Sequence, residues 1–282
     1  MQDVIIKIGQ LTKANILNKK KHLLFFKDSV SCEVQDGRLF FISKVNKGYT
    51  NENQDVFLNK IKILLKKYPN IFLISYNLFG ASFVGKNAKR AIKGYDNKKL
   101  ILNLGSGIKR ISKDVINIDY YPFENVDIVA DITDLPFENN SVDFVISEFV
   151  IEHMPNPGKL IKEILRVLKP GGKIYITAPF LATFHSSPND YYRWSKQGLR
   201  HFLVDFKEIE SGVRCGPTSA MIYVISEWTA TILSFGILKI HQILFIILMI
   251  VLSPLNLIDY FIYKYPSSEN IAYGFYYFGK KK

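Results

Sequence analysis

The stretch LILNLGSG, residues 100–107, constrains this chain most: an apolar run with strand character that breaks at once into a glycine-spaced turn. A run of this length bounded by glycine reads as a buried parallel strand, and glycines at its end let backbone N–H groups approach a ligand closely. Alone, a Gly-x-Gly is a weak signal. It gains weight from the rhythm that follows, with strands at 100–104, at 115–118 ending on Asp119, at 127–130 ending on Asp131, and at 142–147. A helix over 157–168 sets Leu160, Ile161, Ile164, Leu165 and Leu168 on one face and stops at the KPGG of 169–172. A fifth strand at 173–178, a helix over 195–203 with Ser195 as N-cap, and a sixth strand at 206–211 complete the series. Such alternation makes an α/β protein with a mostly parallel, doubly wound sheet, whose ligand site lies at the carboxyl ends of the strands.

The turn itself narrows the ligand. Asp119, at the end of the next strand, is placed to accept hydrogen bonds from ribose hydroxyls, as in a dinucleotide fingerprint, but no GxGxxG is present. Asp119 also follows the glycines closely, leaving little room for a full helix whose N-terminus would cradle a diphosphate. The spacing argues for a nucleoside ligand without phosphates.

Charge is unevenly placed. Residues 1–98 hold 18 Lys and Arg against 7 Asp and Glu, whereas the rest of the chain is nearly neutral. A basic part beside a neutral one fits either a polyanion or anionic lipid as neighbour, or simply a lysine-rich solvated surface. HLLFFKDSV and CEVQDGRLFFISKV read as short strands, the latter turning at Asp36 and Gly37. Beyond Asn53, Val56, Phe57, Ile61, Leu64 and Leu65 recur at helical spacing among Lys60, Lys62, Lys66 and Lys67, a basic amphipathic helix ending before Pro69. Two cysteines, Cys32 and Cys215, form no disulfide framework and no metal knuckle, and the first residues lack the apolar core of a secretory signal, so a reducing, cytoplasmic setting is expected.

Four runs, LNLGSG, NIDYYP, VADITDLPFENNSVDFVISEFVIEHMPNP and EILRVLKPGGKIYITAPF, keep the order and spacing of successive motifs over residues 100–180. Together they resemble class I S-adenosylmethionine-dependent methyltransferases. The resemblance implies a Rossmann-like seven-stranded methyltransferase sheet, with a small N-terminal α+β element and a hydrophobic helical insertion between the last two strands. The expected divisions are 1–98, a core at 99–217, an insertion at 218–265, and a last strand with basic tail at 266–282. It implies S-adenosylmethionine as cofactor, with Asn103, Gly105, Ser106 and Gly107 at the methionine end and Asp119 on the ribose. Asp131 and Ile132 would flank the adenine, Glu148 would meet the methionine amino group, and Phe149 would lie beside the cofactor. Turn capping is the alternative role for Asp119 and Asp131.

The next run, FHSSPNDYYRWSKQGLRHFL, resembles a narrower bacterial subgroup often found among surface-polysaccharide genes. It gathers a base, a carboxylate, a cation and aromatic faces at the strand ends. His185 is the candidate base for a hydroxyl acceptor, with Asp190 and Tyr191 beside it and His153 as second choice. Tyr192, Arg193 and Trp194 are candidate substrate-binding residues, although Arg193 paired with Asp190 and Trp194 packed under the following helix are equally open. Glu152, His153, His185 and Asp190 show no recognisable ligand spacing in sequence, and no metal is expected.

Residues 216–265 form the other unusual feature. Between Lys239 and Asp259 no residue is formally charged, and ILFIILMIVL is apolar all round, as at a lipid contact. The terminal run IAYGFYYFGKKK reads as the last strand of the same sheet, so the insertion crosses a bilayer zero or two times. Two crossings need roughly 40 apolar residues; the stretch is broken by Glu227, Lys239, Pro254 and Asp259. A monotopic protrusion at the inner membrane face is the expectation, against a helical cap or dimer interface. The expected activity is O-methylation of a surface-glycan or lipid-linked acceptor. Methylation of a quinone or phospholipid, and a non-catalytic membrane-bound module, are the alternatives. No nucleic-acid partner is expected, because no nucleic-acid-binding module accompanies the lysines.

Overall fold

The computed structural model describes residues 16–19, 22–25, 33–35, 38–42, 81–95, 99–185 and 189–282. The basic helix expected beyond Asn53 lies outside them. Strands β1 (Ile16–Lys19) and β2 (His22–Phe25) pair with each other in a two-stranded sheet. The remaining strands form one sheet: β3 (Glu33–Gln35), β4 (Arg38–Phe40), β5 (Ile101–Leu104), β6 (Ile116–Asp119), β7 (Ile128–Val129), β8 (Val142–Glu148), β9 (Leu168–Pro179), β10 (Phe206–Cys215) and β11 (Gly274–Lys281). Its order is β10-β11-β9-β8-β5-β6-β7-β4-β3. From β9 through β8, β5, β6 and β7 to β4 every pairing is parallel, while β11 runs antiparallel between β9 and β10. The seven expected strands are all present. The N-terminal hairpin β3–β4, Glu33 opposite Phe40, adds two more at the edge by pairing Leu39 with Ile128.

The alternation of a strand divides its side chains between two faces. Leu102 and Leu104, with Ile118, Val145, Ile174, Ile176, Phe275 and Tyr277, pack under Leu160, Ile161 and Ile164 of helix α2 (Pro157–Val167) and Leu199 of α3 (Lys196–Phe202). Ile101, Phe144, Ile146, Tyr175 and Phe278 face the other way, onto Ala88 and Ala91 of α1 (Ala88–Ala91). Ser195 caps α3 as read from the sequence, its hydroxyl accepting the N–H of Gly198 at 3.1 Å.

Two strand boundaries differ most from the sequence reading, β7 is shorter than the expected 127–130, and the insertion expected at 218–265 spans 216–273. Strand β9 starts at Leu168, directly after α2, and the KPGG run lies inside it as a bulge: Val142 pairs with Leu168 but Phe144 with Lys173, and Gly171 sits at φ +74°. Glycine supplies the left-handed residue such a bulge uses. Strand β10 continues past Ser211 to Cys215, because Gly212 lets it run close against the Tyr276 ring.

The register also locates the insertion. Cys215, the last residue of β10, pairs with Gly274, the first of β11, so residues 216–273 leave and return at one place. They form helices α4 (Pro217–Leu233) and α5 (Leu238–Leu252), a 3₁₀ segment Ser253–Ile258, and α6 (Asp259–Ile262). The continuous helical run Leu238–Ile262 is long and apolar enough to cross a membrane. Its far end is nevertheless fastened to protein. Asp259 is fully buried, and its carboxylate accepts the N–H groups of Thr218 (2.7 Å) and Ser219 (3.0 Å) and the hydroxyls of Ser219 and Ser82. An anion at the N-terminus of α4 meets the positive end of the helix dipole there. The insertion is therefore a hairpin tied at its base, with its tip at Phe235.

Candidate functional site

Gly105 and Gly107 follow β5 at φ +65° and +55°. A Cβ on Gly105 would lie 2.5 Å from a Val150 methyl, whereas Gly107 has nothing within 4 Å on that side. One glycine thus allows close packing below the turn, and the other leaves the space above it open. Gly105→Ala combines left-handed strain with that clash, so a stability loss of about 2–4 kcal/mol is expected, read as a drop in thermal midpoint. The N–H of Ser106 donates to Ile118, tying the turn to β6.

Asp119 closes the turn from the neighbouring strand. Its Oδ2 accepts the Gly107 N–H at 2.8 Å and its Oδ1 the Tyr121 N–H at 3.0 Å. Asp131 accepts both the N–H and the hydroxyl of Thr133 on Oδ1, while its side chain stays exposed beside the buried Ile132. Both carboxylates do cap turns, and both stand at the carboxyl ends of parallel strands. Asn103 does not join them: it is buried within the sheet and its amide donates to Asn117 at 3.1 Å.

Glu148 ends β8 on the other side of the turn. Its carboxylate pairs with Lys109 at 2.7 Å and with the buried Arg214 of β10 at 3.6 Å. The Arg214 guanidinium lies 4.6 Å over the Phe83 ring, and Phe83 meets Phe149 edge-on at 6.1 Å. Phe149 itself holds φ +54°, its N–H donated to the Thr177 hydroxyl. Lys109, Arg214 and Phe83 were not legible as site residues. They come from separate segments with no shared spacing, and only the burial of an arginine in an apolar strand end marks one of them.

The loop after β9 brings His153 and His185 together, rings edge to face at 5.1 Å. Burial pushes the His153 pKa below its ordinary value; Glu152 opposes that, and His185 adds to it. Asp190 holds the loop in place. It accepts the His185 N–H at 2.9 Å and forms a two-pronged pair with Arg193, whose remaining donors reach the carbonyls of Ala182, Thr183 and Tyr192. Desolvation raises the Asp190 carboxyl, but the Arg193 and His185 hydrogen bonds outweigh it and hold it below the usual carboxylate value. Asp190 and Arg193 thus act as positioning residues. Trp194 is buried against Phe202 and Tyr192, a core residue; Tyr192 bonds the Pro155 carbonyl; Tyr191 is exposed beside the site.

A sheet parallel from β4 to β9 with antiparallel β11 beside β9, and a glycine turn faced by an acidic strand end, is the Rossmann-like methyltransferase fold. Residues 106–176 match the family described as a methyltransferase domain. The chain is 34% identical over 116 residues to the ubiquinone/menaquinone biosynthesis C-methyltransferase of Rickettsia prowazekii, which is 39% of this chain and 44% of that protein. It is 35% identical over 81 residues to phosphoethanolamine N-methyltransferase 2 of Caenorhabditis elegans, covering 29% of this chain and 18% of the relative. The chain thus spans less than half the length of these curated relatives. The solved phosphoethanolamine N-methyltransferase 2 of Haemonchus contortus, in complex with S-adenosyl-L-methionine, superposes with a TM-score of 0.46 at 19% identity, over 76% of this chain and 58% of that one. The loop of His185 and the insertion lie outside the matched residues 106–176.

Proposed function

We propose that the protein is an S-adenosylmethionine-dependent methyltransferase acting on a glycan or lipid-linked acceptor at the inner membrane face. The observation that carries this reading is the closed turn: Gly107 donates its N–H to Asp119 across adjacent parallel strand ends, inside the residues that match a methyltransferase domain. The residues suit such a cofactor: a Cβ on Gly107 would meet nothing within 4 Å, and Asp119, Asp131 and Glu148 supply carboxylate acceptors at the neighbouring strand ends. Gly105, Ser106 and Gly107 would line the methionine end, Asp119 the ribose, Asp131 and Ile132 the adenine, and Glu148 the amino group, with Phe149 alongside. When bound, S-adenosylmethionine supplies a methyl on a positively charged sulfur. The chain's part is alignment: Tyr191, His153 and His185 define the side from which an acceptor approaches, and Asp190 with Arg193 keeps that loop rigid.

The membrane side of the proposal rests on the insertion. Phe235 at its tip is 88% exposed, Phe261 76% and Trp228 65%, on a hairpin fastened at its base by Asp259. Such an apolar protrusion enters one leaflet, and its exposed Lys239 and Lys264 would add on the order of 1 kcal/mol each when close to an anionic surface. The full chain is expected to sediment with vesicles rich in anionic phospholipid. Replacing Trp228 and Phe235 together by serine should lower the bound fraction by about tenfold or more in partition constant. Equal partition of the variant would contradict the monotopic reading.

A second acceptor class is quinone or phospholipid, of which the printed name of the Rickettsia relative supports quinone, and a non-catalytic module is the reading without an acceptor. Incubating the full chain with methyl-labelled S-adenosylmethionine and a cell-envelope extract distinguishes them. Label in glycan or glycan-lipid supports the first reading, label in quinone or phospholipid the second. No label anywhere, with the cofactor bound, leaves the module.

A further inference from the structure

We propose that Glu152, His153 and His185 form a three-ligand site for a divalent transition-metal ion, with zinc as its natural probe. The three residues offer one ligand atom each, all within 4.8 Å of one another. Strand β8 runs into the 3₁₀ turn Ile151–His153, which supplies two of them, and the loop after β9 supplies the third. The N–H of Tyr191 donates to the Glu152 carbonyl at 2.8 Å, locking the two segments together.

The hydrogen bonds define what the ligand atoms are. His153 Nδ1 meets the Asn189 carbonyl, and His185 Nδ1 meets the Thr183 carbonyl at 3.1 Å. A carbonyl oxygen only accepts, so each Nδ1 carries the hydrogen and each neutral ring keeps its lone pair on Nε2. Both Nε2 atoms stand 3.9 Å from one oxygen, Glu152 Oε1. With both rings neutral, three acceptors converge, and among the described residues no donor stands between them.

Glu152 makes the arrangement costly unless something is bound. It is fully buried, and neither carboxylate oxygen has a hydrogen-bond partner among the described residues. An unpartnered buried carboxylate is strongly unfavourable. A distance of 3.9 Å is too long for a hydrogen bond. It suits two ligands on one ion, because bonds of about 2.0–2.2 Å hold ligand atoms roughly 3–4 Å apart. Imidazole Nε2 with a carboxylate is a donor set for zinc, iron, nickel or copper rather than magnesium or calcium. Histidine ligands anchored through Nδ1–H to a carbonyl are the usual outer support of such a site. Three protein ligands leave further coordination positions open.

The sequence conceals the site because its ligands are adjacent in one segment and distant in the other, with none of the spacings of metal-binding motifs. An ion there changes the part His185 plays. A lone pair held by a metal is not a proton acceptor, so His185 serves as ligand instead of the free base expected from the sequence. Binding of the ion does not depend on the methyl-transfer reading.

The test uses the full chain without a histidine tag, stripped with a chelator and then dialysed with zinc. Metal analysis after gel filtration should find about one zinc per chain. Cobalt in its place should give the visible bands of a low-symmetry nitrogen–oxygen site. Glu152→Gln and His185→Ala should each weaken zinc binding by about a hundredfold or more. Glu152→Gln keeps the volume and removes the buried charge, so its metal-free thermal midpoint should equal or exceed that of the unaltered chain, and zinc should no longer raise it. Failure of the unaltered chain to retain zinc would overturn the proposal. So would retention of one zinc by either variant, which would place the ion on surface histidines.

Discussion

Replacing Asp119 by alanine is expected to weaken S-adenosylmethionine binding by roughly a hundredfold or more, since it removes a charged acceptor worth about 1.5–3 kcal/mol per hydrogen bond. The residue does two things at once. Its Oδ2 holds the Gly107 N–H and its Oδ1 the Tyr121 N–H, so the turn is shaped by the same carboxylate that would meet the ribose. Asp119→Asn separates the two, because an amide oxygen still accepts one N–H while the charge and the second acceptor are lost. Titration calorimetry should place Asn between the native residue and alanine. Thermal melting should show the alanine variant folded, since the strand ends around it remain packed through Ile118 and Leu104. Unchanged affinity in the alanine variant would remove Asp119 from the site.

The second large effect concerns the insertion. Asp259→Ala should lower stability by about 3 kcal/mol, leaving the Thr218 and Ser219 N–H groups without their acceptor at the start of α4. For a chain of this size that is a fall of roughly 6–12 °C in thermal midpoint. The effect is local in origin. Gly216 has no Cβ, which would lie 2.2 Å from the Asp259 carboxyl carbon, so Gly216→Ala should push the same contact apart and produce a fall of the same sign. A melting temperature unchanged in both variants would mean that the hairpin is not held at its base by this carboxylate.

The core was legible because its signals are local. An apolar strand ending in Gly-x-Gly, Asp119 and Asp131 at successive strand ends, and a helix with Leu160, Ile161 and Ile164 at helical spacing each follow from a few neighbouring residues, and the sheet confirms all of them. The last strand was legible too, and its antiparallel place between β9 and β10 fixes where the insertion begins and ends. What was not legible depends on contacts far apart in sequence. Asn103 is polar and beside the glycines, yet bonds Asn117 inside the sheet. Trp194 and Arg193 look like substrate contacts in an aromatic run, yet pack and brace the loop, the alternative that the sequence left open. Glu152 stood among possible ligands without a recognisable spacing, because only the fold shows its carboxylate buried beside two histidines.

The central claim is that the turn at Gly105 to Gly107, with Asp119 and Glu148, holds S-adenosylmethionine. Titrating the detergent-solubilised full chain with that compound in a calorimeter tests it most directly. A single saturable site per chain is expected, competed by S-adenosylhomocysteine and lost in Asp119→Ala. A folded chain that gives no saturable heat, or that binds with equal affinity after Asp119→Ala, would contradict it.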